Sequence, residues 1–367
     1  MIVMQKLFII LFVLASFCSL QAYAAGGHKD PKAVELKNEE IKSEELNITE
    51  VIFEHILDSH EWHILTLHEG QENEKHIVMP LPVILWDEGQ LVFFMSSKFH
   101  HSEDFKYQVG TKESFEGQYE GKIVRVDENG NVVSVPLDFS ITKNVMSLFL
   151  SALLLLLIFL PVARSYKKRG IAAPRGLQGF MEPLIMFVID DIVKPNIGEK
   201  RYMRYVPYLL TLFFFILINN LCGLIPFFPF GYNLTGNIAV TMTLAVLTLI
   251  IVNFSGNKGY WKHIFAAPGV PVWLLPIMIP VELIGILSKP FALMVRLFAN
   301  ITAGHIIVLS LISLIFIFQS IGMAPVSVFF VLFMDVLELL VAALQAYIFT
   351  LLTALFIGLA VQEAEHH

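Results

Sequence analysis

Cysteine and charge are both scarce in this 367-residue chain. Only Cys18 and Cys222 occur, which excludes a disulfide framework and a thiolate metal site. Charged residues make up 16%, against about 25% for ordinary soluble domains. No Gly-x-x-x-x-Gly-Lys-Ser/Thr loop occurs anywhere, so nucleotide phosphate chemistry of that kind is excluded. What the chain has instead is apolar sequence: 56% of its residues are hydrophobic. That balance calls for a lipid solvent over much of the length.

The charge that is present divides the chain. Residues 25–143 hold 23 acidic and 11 basic residues, a net of −12, whereas the remainder is slightly basic. Residues 1–24 read as a signal peptide: Lys6, an apolar stretch from Leu7 to Phe17, and Ala22-Tyr23-Ala24 as a small-x-small cleavage site. An uncleaved first span is the alternative, but the apolar stretch is short for one. Residues 25–143 are then an exported soluble domain, β-rich or α+β. Its first residues, to about 50, are charged and helix-permissive. Short apolar runs follow (HILTL, IVMPLPVILW, QLVFFM, KIVRV), parted by Asp87-Glu88-Gly89 and by Glu128-Asn129-Gly130-Asn131. The latter predicts a hairpin. Eight histidines fall in this domain (His28, His55, His60, His63, His68, His76, His100 and His101). Their spacing fits no metal-ligand pattern, so they read as solvated surface residues.

Residues 144–367 form the membrane domain. The fold class is an all-α polytopic membrane protein with about five membrane helices. A span over 145–165 is followed by Arg164, Lys167, Lys168, Arg169 and Arg175; such a cluster marks the cytoplasmic side. Residues 178–198 are apolar but interrupted by Glu182, Asp190, Asp191 and Lys194, which predicts an interfacial amphipathic helix. Residues 205–227 return outward to a loop without Lys or Arg, and 237–254 return inward to Lys258 and Lys262. Two longer apolar stretches close the chain, from Val281 to about Gln319 and from Ser327 to Val361, with Pro276 and Pro280 before the first. Each is over thirty residues, or more than about 45 Å as helix. The hydrocarbon core is about 30 Å thick, so these two read as a strongly tilted hairpin wrapping a partner. The N-terminal domain is then outside and the C-terminus cytoplasmic.

Ionisable residues within these stretches point to an ion path, because charge in the bilayer is costly: about 3 to over 10 kcal/mol for a central Arg. Arg296 has apolar sequence for at least a dozen residues beyond it, too far for snorkelling. Glu282, Lys289 and Arg296 recur every seven residues and share a face with Asn300. His305 lies about half a turn round from Arg296. On the second stretch Glu338 and Gln345 share a face. An antiparallel hairpin can bring His305 to Glu338, and an imidazole beside a carboxylate can relay a proton. A self-contained transporter would carry inverted repeats, and none is visible. A receptor built on the exported domain leaves Arg296 unexplained.

LSKPFALMVRLFANITAGHI (287–306), LQAYIFTLLTALFIGLA (344–360) and Asn219-Asn220-Leu221-Cys222-Gly223-Leu224-Ile225-Pro226 resemble the signatures of subunit a of F-type ATP synthases. The likeness covers about residues 145–365. It implies a stationary, non-catalytic subunit that forms two offset half-channels and passes protons to and from the carboxylates of a ring of c subunits. The other partners it implies are peripheral-stalk b subunits, the rest of the synthase and membrane lipid, in a bacterial inner membrane, with no cofactor, metal or nucleic acid. By the resemblance, Arg296 matches the essential arginine, Gln345 a glutamine that faces it, and Asn300 the family's asparagine. Glu282 and Ser288 match polar positions of the cytoplasmic path. His305 stands where many bacterial members have glutamate, and Glu338 where they have histidine, so the acid–imidazole pair is kept with its partners exchanged. The exported domain has no counterpart in the family's short versions.

Overall fold

The computed structural model describes residues 58–67, 75–101, 105–110, 119, 121–127, 130–169, 173–225, 228–265, 271–318 and 324–361. The expected signal peptide, the charged stretch that follows it and the terminal histidine pair lie outside the described residues. The chain divides into two compact units, one built mainly from residues 147–308 and 328–367, the other mainly from 17–146 with 309–327.

Among its described residues, the second unit has eight strands, as three antiparallel sheets. β1 (Glu61–Leu67) pairs with β2 (Lys75–Pro80). β3 (Pro82–Asp87) lies between β4 (Gln90–Met95) and β8 (Leu137–Asp138). β6 (Ile123–Val126) lies between β5 (Tyr107–Val109) and β7 (Val132–Ser134). The β6–β7 hairpin is the one the Asn-Gly-Asn turn predicts, with Gly130 at φ +80° as such a turn requires. The short helix α1 (Lys98–His101) follows β4. Val83, Leu85, Phe94 and Ile123 are buried together, with Phe99, Phe105 and Tyr107 packed around them. Phe94 meets Phe99 and Phe105 edge-on, at centroid distances of 5.4 and 4.8 Å; each such contact adds about 1 kcal/mol beyond burial.

Polar clamps tie these sheets together. The buried Asp87 carboxylate accepts hydrogen bonds from Tyr107 (3.1 Å), Arg125 (2.8 Å) and Ser134 (3.0 Å), which joins β3 to all three strands of the second three-stranded sheet. His60 Nε2 lies 2.7 Å from Asp138 Oδ2, and the Ser140 amide donates to Asp138 Oδ1 at 2.8 Å. Burial alone would raise the Asp138 carboxyl, but the His60 bond and charge, with Ser140, hold it below the usual carboxylate range. A depressed folded value means stabilisation that is complete above the unfolded value of about 3.9 and lost as pH falls through the folded value. Hydrogen-exchange protection of β3 and β8 in the full-length chain should therefore hold between pH 7 and 5 and fall below pH 4. Asp138→Ala should lower it already at pH 7, by about 2 kcal/mol.

The first unit is helical. Five of its helices are long and apolar enough to cross a membrane: α2 (Lys143–Arg169), α5 (Val206–Gly223), α6 (Ile238–Ser255), α8 (Leu275–Phe318) and α9 (Ala324–Val361). Pro207 opens α5 at a position where no amide bond is lost, and Asn237 caps α6 by accepting from the Ala239 amide at 2.8 Å. Between α2 and α5, α3 (Leu177–Phe187) runs through one π turn (Val188–Val193) into α4 (Lys194–Ile197). Met181, Val188, Ile192, Val193 and Ile197 of this segment are buried. Gln178 accepts from Ser165 of α2 at 2.6 Å.

α8 begins at Leu275, six residues before the expected start, and takes in Pro276 and Pro280. Pro276 is its second residue, where the amide has no acceptor in any helix; Pro280 forfeits one bond, a cost the long helix absorbs. At 44 and 38 residues, α8 and α9 measure about 66 and 57 Å. The far end of α9 is held by three donors from elsewhere. The Asn257 amide donates to Ala360 O at 3.0 Å, Asn257 Nδ2 to Val361 O at 3.3 Å, and Arg201 also to Val361 O. Asn257 sits between α6 and the short helix α7 (Lys258–Phe265). One turn earlier, Gly358 lets α9 lie against the backbone of Asn196: a Cβ there would stand 1.9 Å from its carbonyl oxygen.

Candidate functional site

α8 and α9 run antiparallel in a register fixed by side chains. Asn300 donates to Gln345 at 3.2 Å. Eleven residues back along α8 and eleven forward along α9, the Lys289 ammonium lies over the Phe356 ring at 5.5 Å. Between them Leu293 and Leu297 of α8 and Phe349 of α9 are buried, the knobs expected at a helix contact.

From Asn300 toward the C-terminal end of α8, one small cavity collects groups from three helices. Asn220 of α5, Asn300, Gly304 and His305 of α8, and Glu338 of α9 line it, together with Ala342. His305 and Glu338, which the sequence reading pairs, both line this cavity. Asn220 is itself held in place: it donates to Ala342 O at 3.3 Å and accepts from Thr235 at 2.7 Å. Thr302 donates to Gly236 O at 3.3 Å, which ties α8 to the loop before α6. Among the described residues, the buried Glu338 Oε1 and Gln345 Nε2 have no hydrogen-bond partner.

Arg296 lies one turn before Asn300, at the middle of the 44-residue α8. It is exposed and does not line the cavity. Its neighbours Ala292, Ala299 and Ala303 are exposed and small. Glu282 and Ser288 are not brought to the cavity either. Glu282 is about 21 Å from Arg296 along the helix, and Ser288 donates within its own helix to Gly285 O at 3.0 Å. Glu282 instead influences Tyr260 of α7, whose phenol is raised by burial and further by the Glu282 charge.

A sequence profile described as "ATP synthase A chain" matches residues 145–358. The chain belongs to the ATP synthase A chain family. Among its relatives, "ATP synthase subunit a" of Chloroherpeton thalassium is 49% identical over 235 residues, which is 62% of this chain and 69% of that protein. The subunit a of Chlorobium phaeobacteroides strain BS1 is 50% identical over 236 residues, 62% of this chain and 68% of its own length. That of Myxococcus xanthus is 45% identical over 237 residues, 63% and 76% respectively. A second profile, described as a domain of unknown function (DUF8433), matches residues 51–140. The chain is therefore a multi-pass membrane subunit of an ATP synthase, with the DUF8433 match lying ahead of the ATP synthase A chain match.

Two contributors escape a sequence reading of this subunit a. Asn220 and Thr235 make a buried pair across the α5–α6 turn, and no periodicity announces it. Gly304 carries a usable signal, because a glycine inside a helix costs about 1 kcal/mol relative to alanine and needs a reason. The reason is contact: a Cβ on Gly304 would stand 2.6 Å from Glu338 Oε1. Since that atom ends a flexible side chain, Gly304→Ala should assemble normally yet displace the carboxylate. Proton pumping by vesicles carrying the variant should fall about 10-fold or more if Glu338 acts as a proton-transfer group, with subunit content unchanged on co-purification.

Proposed function

We propose that this chain is the stationary proton-conducting subunit of a rotary ATP synthase, with residues 144–367 as its membrane domain and 25–143 as an exported domain. The observation that carries the reading is Arg296: an exposed guanidinium halfway along an apolar helix. A bilayer does not tolerate it alone, so a carboxylate from another chain is its natural partner. The exposed alanines beside it leave room for a second helix to come close.

The partner is a ring of c subunits, each with one carboxylate at mid-membrane. Arg296 favours the ionised form of that carboxylate, by about 1–3 pKa units for such a pair, and drives its proton off. The same fixed charge repels a proton moving straight through. Outside Arg296, the cavity with Asn220, Asn300, His305 and Glu338 forms one half-channel, with Gln345 bonded to Asn300 at its inner limit. Imidazole and carboxylate exchange protons at neutral pH, and Gly304 lets them share the space. On the other side Glu282, Ser288 and Tyr260 mark the second half-channel. An ion that can reach each half only from one side must travel with the ring. Each charge crossing delivers about 2.3 kcal/mol per 100 mV.

At about 66 and 57 Å, α8 and α9 tilt steeply to fit a core of about 30 Å. Only 6% of the most apolar window of α8 and 11% of that of α9 is buried within this chain, against 56% for α5, as suits helices that face a ring and lipid. The segment 177–197 lies along the cytoplasmic surface of a bacterial inner membrane, where peripheral-stalk b subunits and the rest of the complex attach. ATP chemistry belongs to other subunits.

Cross-linking tests the arrangement. Cysteine at Ala299 or Ala292 should form disulfides with a cysteine set beside the c-subunit carboxylate, in the assembled complex. Cysteine at the buried Leu297 should not. Equal cross-linking at all three positions, or none at Ala299, would remove Arg296 from the ring interface.

A further inference from the structure

The β4-β3-β8 sheet has two faces, and only one is used by the core. Val83, Leu85 and Phe94 point into the core. The ladder between β3 and β8 continues past Asp138, since the Phe139 amide donates to Ile84 O at 2.9 Å and the Ile141 amide to Pro82 O at 3.1 Å. The outer face is therefore three rows of three. Trp86 stands between Leu91 and Leu137, Ile84 between Phe93 and Phe139, and Pro82 between Met95 and Ile141. None of the nine is polar. Leu91 and Phe93 are each 63% exposed, and Trp86 is 45% exposed. A sheet face left to water alternates to polar residues; a contiguous apolar one marks a contact surface.

The covalent chain says what covers it. Ile141, in the last row, is two residues from Lys143, where the membrane helix α2 begins. Two residues reach about 7 Å at most. The farthest row, at Leu137, is four residues further back, about 14 Å along the strand. The whole face is thus tethered within about 20 Å of the point where the chain meets the bilayer. The apolar character also resumes at once: beyond Lys143 come the exposed Met146, Phe149, Leu153 and Leu157 of α2, which face lipid in a membrane-crossing helix. Tryptophan and other aromatic residues are at home at the headgroup level, a zone about 5–8 Å deep on each side.

We propose that this sheet face lies in the headgroup and upper acyl region of the bilayer that α2 crosses, so that the exported domain rests on the lipid surface. The contact is hydrophobic. The region around it is acidic, net −12 over residues 25–143, so anionic lipid does not drive it and salt does not release it.

The test uses the assembled synthase in phosphatidylcholine vesicles, with Cys18 and Cys222 replaced by alanine. An environment-sensitive fluorophore is attached at Phe93→Cys, and as control at Asn131→Cys in the exposed β6–β7 turn. Expected at position 93 are a blue-shifted emission and quenching by nitroxide carried on lipid several-fold stronger than by nitroxide in water, with the reverse at position 131. Leu91→Cys should repeat the result at a second place on the face. If both sheet positions are quenched from water like the control, the face is solvated and the proposal is wrong. If both are shielded from water and from lipid nitroxide alike, a protein covers the face and the proposal is equally wrong. Proton pumping does not enter the readout, so the outcome is independent of the half-channel assignment.

Discussion

Replacing Arg296 by alanine should abolish ATP-driven acidification of inverted membrane vesicles while the complex still assembles. Two losses combine. Without the guanidinium, the ring carboxylate no longer ionises readily as it arrives. A pKa difference of about 1–3 units is a 10- to 1,000-fold difference in the ionised population, and the coupled rate should fall accordingly. The electrostatic barrier between the half-channels also disappears, so passive proton leak should rise in vesicles without ATP. Assembly should survive because Arg296 is exposed and is not one of the buried side chains that set the α8–α9 register. Arg296→Lys should recover little, since a compact ammonium lacks the planar fork that follows a moving carboxylate. The measurements are dye-detected proton uptake, passive leak, and c-subunit content after purification. Normal pumping in an assembled Arg296→Ala complex would end the ion-path reading.

The second large effect concerns His305 and Glu338. Glu338→Gln and His305→Ala should each slow proton pumping by about 100-fold or more, the range for losing one proton-transfer group. If the two act as a unit, the double change should cost scarcely more than either alone, the non-additivity expected of neighbours in one network. The sharper test exchanges them. His305→Glu alone places a second carboxylate in the cavity that Glu338 already lines, and should be severely impaired. His305→Glu combined with Glu338→His restores one acid and one base to the same space, and should recover most of the rate. A swapped double variant no better than its singles would show that position, not the pair, is what counts.

Much of this architecture is legible in the amino-acid sequence. Hydropathy locates all five long helices because lipid leaves a backbone no alternative to helix. The β6–β7 hairpin follows from its Asn-Gly-Asn turn. The meeting of His305 and Glu338 comes from helical spacing joined to a family resemblance; spacing alone defines a face, not a partner. What escapes depends on contacts. The start of α8 is misplaced because Pro276 and Pro280 look like breakers, yet Pro276 sits in the first turn where no bond is lost, and Pro280 forfeits only one. The π turn at 188–193 leaves no mark on an apolar sequence. IVMPLPVILW is apolar on both of its faces, and only burial reveals that one of them is uncovered. Gly304 and the Asn220–Thr235 pair depend on where α5 and α9 come to rest.

The grip on the last helix bears on mechanics. In the role proposed above, a body that stays still beside a turning one must return an equal and opposite moment, and a bare helix in fluid lipid can anchor none. α9 ends in carbonyls held by Arg201 and Asn257, one turn beyond the point where Gly358 presses it on the backbone of Asn196. Those residues belong to two separate connections, one before α5 and one after α6. Load gathered along α9 is therefore shed into both at its last turn, which makes the helix a beam built in at one end rather than a rod that can spin about its own axis.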